Sequence, residues 1–184
     1  MAKYEQVKSA IEKYFDKNKF HYDSQLMDNG WSLISAFESN AIGINVLLVM
    51  NIHNDTNSIT VAASGGTEAE KDKYNDINKL LTEANRRIKR GAYTINSETL
   101  DVSFRLWHPT NRGKFEEKDI TNLLTLSIGS LELLWPWIKA VAEGKVSPME
   151  AIEGYTNQTV PQFNDTIFDN TEEAPITLQN AEGI

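Results

Sequence analysis

Three histidines, His21, His53 and His108, are the side chains here best suited to proton transfer or metal binding near neutral pH. No two of them stand four residues apart and none lies in an H-E-x-x-H frame, so they form no ligand pair on a helix face. They read as unconnected surface or strand-edge histidines. The sequence has no cysteine, which excludes thiolate catalysis, disulfides and cysteine-based metal sites. Ser64, in Ala63-Ser64-Gly65-Gly66, fits neither the G-x-S-x-G elbow nor a Walker loop, which needs a lysine after its last glycine. Its glycines read as a strand-to-helix turn. An anion on the helix that follows would be opposed by Glu68 and Glu70. Glu116, Glu117 and Asp119 read as first-turn partners of a helix dipole and not as an acid–base pair. No nucleophile–base pairing can be nominated. The expectation is a non-enzymatic protein with no catalytic residue, no metal ligand and no cofactor.

Binding chemistry is better represented. Arg86, Arg87, Lys89 and Arg90 are the one concentrated basic cluster in an acidic chain of net charge −8. They read either as a solvated helix C-terminus, each cation worth about 0.3–1 kcal/mol there, or as a dock for acidic peptide. That peptide could belong to a partner or to the chain's own tail. Leu126, Leu133 and Trp137 form a second apolar set on the last long helix, away from its main stripe. A helix that is apolar on two sides must cover both. This surplus face leads to the expectation of a homodimer, or of a partner held on the same patch.

The elements that would position these residues follow from periodicity. Lys3–Lys17 sets Tyr4, Val7, Ile11, Tyr14 and Phe15 on one helical stripe. Phe20–Met27 reads as a strand ending in the turn Asp28-Asn29-Gly30, and Trp31–Glu38 as the returning strand. Ile44–His53, apolar on both faces for five residues, suits a central strand. Ile59, Val61 and Ala63 make a fourth. Thr67-Glu68-Ala69-Glu70 reads as a capping box opening a helix with Tyr74, Ile77, Leu80, Leu81, Ala84 and Ile88 inside and Gly91 as its C-cap. A hairpin follows, Tyr93 and Ile95 against Leu100, Val102, Phe104 and Leu106, with Asn96–Thr99 as its turn. Glu116–Lys145 is the last large helix, with a kink or break expected near Trp135 because Pro136 costs about 3 kcal/mol in a helix interior. Ser147-Pro148-Met149-Glu150 caps one or two further turns through Ile152. The fold class is α+β, an antiparallel sheet in the order α-β-β-β-β-α-β-β-α.

Residues 1–154 read as one domain and residues 155–184 as an acidic tail or clinging arm. Residues 145–184 hold one lysine and seven acids, while residues 1–144 are nearly balanced, with 17 bases and 19 acids. A body without net positive charge argues against nucleic acid as partner. The longest apolar run, Val46–Met50, is far too short to span a bilayer, and the charged N-terminus lacks a secretory core. A soluble, cytoplasmic protein is expected, and three Asn-x-Thr sequons, at Asn54, Asn157 and Asn164, carry no weight in that setting.

The helix, hairpin and closing helix together resemble the YbjN-like domain, a bacterial family with the type III secretion chaperone-like fold. The residues concerned are Ile77–Leu81 through Asn85-Arg86-Arg87, then Gly91–Asn96 and Val102–Leu106. Leu131–Gly144 with Ser147–Ile152 is similar to that family's closing helix. The resemblance covers roughly residues 3–153 and implies a small, acidic, non-enzymatic binding protein, often dimeric, that grips a partner segment on apolar grooves. It brings no catalytic residues. The alternative reading is a small-molecule-binding regulator or small enzyme with a pocket under the tail.

Overall fold

The computed structural model describes residues 3–67, 69–110 and 114–157, together with the backbone of residues 179–180. Helix α1 (Lys3–Lys17) buries Val7, Ile11, Tyr14 and Phe15, the stripe its spacing dictates. Strands β1 (Asp23–Met27) and β2 (Gly30–Ser39) form a hairpin in which Met27 pairs with Gly30. β1 starts later than alternation from Phe20 suggests. Lys19 turns the chain at φ 57°, and the rings of Phe20 and Tyr22 pack on Phe15, with Phe20 also 5.2 Å from Phe37. Aromatic packing there outweighs strand pairing.

β3 (Ile44–His53) and β4 (Ser58–Gly65) continue the meander, and β5 (Ala92–Ile95) and β6 (Val102–Pro109) complete it. The sheet order is β1-β2-β3-β4-β6-β5, with every neighbouring pair antiparallel. A two-residue strand β7 (Gln179–Asn180) pairs antiparallel with β2 opposite Glu38 and Phe37. Leu33, Met50, Val61 and Leu106 stand in one register row across four strands, and all are buried. The next row, Ile34, Val49, Ala62 and Arg105, belongs to the opposite face, where Ile34 and Arg105 are exposed. β3 is therefore central, but its second apolar face is not enclosed, as an antiparallel sheet permits. Helices line the other face in a two-layer α+β arrangement.

Helix α2 (Tyr74–Asn85) buries Ile77, Leu80, Leu81 and Ala84 as expected, but both its ends are corrected. Thr67 is not its N-cap. The Thr67 hydroxyl donates to the carbonyl of Leu100 at 2.7 Å, and the helix begins only after a 3-10 turn at Lys71–Lys73, without a side-chain cap. At the other end Asn85 stops it. Its amide nitrogen donates to the carbonyl of Tyr93 at 2.9 Å, and its oxygen accepts the Tyr93 N–H at 2.7 Å. Ile88 is consequently outside the helix, and Gly91 is not its C-cap. Gly91 has φ 88°, and a methyl there would lie 2.5 Å from the Phe104 ring and 2.8 Å from the Arg105 carbonyl. Its role is entry into β5.

Helix α3 (Glu117–Ala142) opens with a capping box between Glu116 and Asp119. Of the kink or break expected near Trp135, the break is absent, since α3 runs through Pro136 as one continuous helix. The lost hydrogen bond is offset by packing on either side of the proline. Trp135 sits on Gly65, where a methyl would come within 2.6 Å of the indole, and Trp137 sits on Gly154. Helix α4 (Pro148–Thr156) carries the expected Ser147–Glu150 capping box but extends past Ile152 to Thr156. Tyr155 is thus helix and not tail. Residues 158–178, most of the expected tail, lie outside the described residues.

Candidate functional site

Among the described residues, α3 carries two exposed large apolar side chains, Leu126 and Leu133. Leu126, Ser130, Leu133 and Trp137 recur at helical spacing and share one stripe. Their fates differ. Leu126 is 41% exposed and Leu133 68% exposed, whereas Trp137 is only 8% exposed. The difference comes from α4, which buries Ala151, Ile152 and Gly154 and seats the Trp137 indole on Gly154. The expected patch of Leu126, Leu133 and Trp137 is therefore smaller than its spacing suggests, because Trp137 is already covered by its own chain.

Polar contacts frame the two leucines. On one flank the Tyr93 hydroxyl donates to the carbonyl of Ser130 at 2.5 Å. Burial pushes the Tyr93 hydroxyl far above the usual tyrosine range, and a hydrogen bond and charge interaction with Tyr155 act the same way. On the other flank the buried Ser39 hydroxyl donates to Glu132 Oε1 at 2.5 Å. Burial raises the Glu132 carboxyl above its ordinary value, and the bond from Ser39 partly opposes that rise.

The basic cluster occupies the turn after α2. Arg86 and Arg87 both reach back to Glu83, at 2.5 Å and 3.3 Å, and Arg87 also donates to the Glu83 carbonyl. Arg90 contacts His108 Nδ1 at 2.9 Å. A guanidinium can only donate, so His108 accepts at Nδ1 and is neutral in this contact. Burial lowers the His108 pKa first, the Arg90 charge lowers it further, and Asp119 opposes them. Lys89 is exposed. Half of the cluster's charge is thus directed toward Glu83, and Arg90 toward a histidine. The Asn85–Tyr93–Ser130 hydrogen bonds connect the end of α2, where the cluster starts, to the leucine stripe.

The histidines are not brought together. His53 contacts Thr60 at 3.1 Å, and His21 offers its carbonyl to Ser35. Among the described residues, no group of three or more histidines and carboxylates is placed to hold a metal ion. Beside His108, the residues Thr110, Lys114, Phe115, Lys118 and Asp119 line an open cleft of about 280 Å³. Sequence reasoning did not single out this cleft, since its walls come from β6, α3 and the connection between them.

Nor did it single out the open sheet face, where Ile34, Leu47 and Trp107 are 38%, 45% and 58% exposed. A signal existed for Trp107. Val102, Phe104 and Leu106 point inward, so strand alternation turns Trp107 outward.

No protein-family model and no curated protein matches the chain. Among solved structures, the fold is similar to that of YbjN from E. coli, a proposed transcription regulator, at a TM-score of 0.45 and 9% identity, over 84% of this chain and 95% of that one. No residue role is carried across from it. No helix among the described residues is long and apolar enough to cross a membrane.

Proposed function

We propose that this chain is a non-enzymatic binding module, chaperone-like or regulatory, that holds a segment of a protein partner on the outward stripe of α3. The observation that carries this reading is the exposure of Leu126 and Leu133 on a helix whose other large apolar residues, from Ile120 to Val141, are buried. Covering a leucine fully is worth about 1.5–3 kcal/mol, so two partly exposed leucines are adequate anchors for a modest interaction. Arg86, Arg87, Lys89 and Arg90 favour a partner with acidic residues beside its apolar ones. The test is affinity capture from the native host, comparing the wild type with Leu126→Ser/Leu133→Ser and reconstituting the captured protein in purified form. A partner bound by the wild type and lost from the double variant is expected. A partner retained equally by both overturns the reading.

A homodimer through the same leucines is the competing use of that surface, and light scattering at tens of micromolar separates the two. The second reading, a small-molecule-binding regulator or small enzyme, is favoured by the cleft at His108 and Phe115. It predicts a ligand whose affinity falls on substitution of Lys118 or His108 while Leu133→Ser leaves it unchanged.

A further inference from the structure

The sheet face turned away from the helices carries a second unclaimed surface. Alternate residues of β2, β3, β4 and β6 (residues 32–36, 47–51, 60–64 and 103–107) point outward in register, three to a strand. Charged residues make up 24% of the chain, a share that gives about three charges in twelve such positions. Arg105 is the only one of the twelve that is charged. The solvated face of an antiparallel sheet is ordinarily polar, whereas here Ile34, Leu47 and Trp107 are 38%, 45% and 58% exposed. Small residues such as Ala36, Ala62 and Ser64 lie between them, low enough for another sheet to approach.

The charges at the two ends of one register row point to a second copy of this chain. Asp23, Ile34, Val49, Ala62 and Arg105 stand side by side across β1, β2, β3, β4 and β6, and both end residues are exposed. β3 lies midway in that order. A two-fold axis in the interface plane, running along β3, reverses the row in the second copy. Asp23 of each copy then faces Arg105 of the other, Ile34 faces Ala62, and Val49 meets its own counterpart. Opposite charges meet at both ends, and a large side chain meets a small one between them. Strand directions stay aligned, as sheets packed face to face require to within about 30°. The area suffices as well. Each strand residue covers about 16 Å² of sheet, so these five strands present about 650 Å² per copy. Two copies bury about 1,300 Å², inside the range of about 1,200–2,000 Å² for specific interfaces.

We infer that the protein forms a two-fold dimer through the open face of its sheet, with Asp23 and Arg105 as reciprocal end contacts. The helical layer stays outside this interface, so Leu126 and Leu133 remain open in both copies. The inference is independent of the binding-module reading, and either can fail alone.

Light scattering of the full chain at tens of micromolar is expected to give a dimer. That dimer persists in Leu126→Ser/Leu133→Ser and falls to a monomer in Leu47→Glu. Residue 47 is exposed, so a charge there is compatible with folding, and an unchanged circular dichroism spectrum verifies it. Asp23→Arg sets two cations against each other at both ends and is expected to weaken the dimer at least about tenfold. Adding Arg105→Asp restores it. A monomeric wild type overturns the inference, and so does a dimer indifferent to Leu47→Glu or one that the double charge swap fails to restore. In a monomer, a Leu47→Cys thiol, single in a chain without cysteine, tells what holds the face instead. Slow maleimide labelling there names the chain itself, and fast labelling leaves the face for a different protein.

Discussion

The indole of Trp137 lies so close over Gly154 that any side chain at residue 154 would overlap its ring. That relationship sets where the outward stripe of α3 stops being core and becomes surface. α4 reaches Trp137 and leaves Leu133, one turn earlier, uncovered. Alanine is the better helix former by about 1 kcal/mol, so in an open helix Gly154→Ala would stabilise. Here the added methyl must push the indole aside, and overpacking of this kind costs about 1–3 kcal/mol. Gly154→Ala is expected to lower the melting temperature and shift the tryptophan fluorescence. A raised melting temperature would refute the contact.

Asn85→Ala tests the end of α2. The substitution leaves the N–H and C=O of Tyr93 without their side-chain partner, at about 1–3 kcal/mol for an unsatisfied buried group. Chemical denaturation should show that loss with an unchanged slope. Amide exchange should rise first in β5, because Asn85 fastens that edge strand to the helix.

Glu132 gives a pH dependence of definite sign. Its folded pKa is raised above the ordinary 4.5 by burial, so the folded state binds the proton more tightly than the unfolded one. The associated stability is present below the ordinary value and is lost as pH rises through the folded value. Glu132→Gln keeps an acceptor for Ser39 and removes the charge. It should melt higher than wild type at pH 7, with the difference closing below pH 4.5.

His108 acts in the opposite direction. Its pKa is lowered from 6.5, so its contribution is present above that value and is lost as pH falls through the folded pKa. Protonation also removes the Nδ1 lone pair that Arg90 uses. Acidification should therefore raise amide exchange across residues 86–91 in the wild type, and less so in His108→Gln. Equal exchange in both proteins would remove Arg90–His108 as the cause.

What the sequence determined by itself was whatever depends on neighbours three or four residues apart in a helix, or two apart in a strand. The bounds of α1 and β3, the buried faces of β2, β4 and β6, and the Ser147 capping box all rest on such local repeats. The basic cluster and the two exposed leucines were visible for the same reason. Only the tertiary structure decided the cases where a side chain chooses between a near and a distant partner. Thr67 takes the carbonyl of Leu100, 33 residues away, over capping its own helix. Asn85 takes the Tyr93 backbone and ends α2 early. Trp137 and Leu133 have the same periodic signature, and what separates them is whether α4 folds back over each one. Burial of a large apolar side chain is settled by whichever surface the folded chain brings against it, and the period of the sequence records only that some surface is needed.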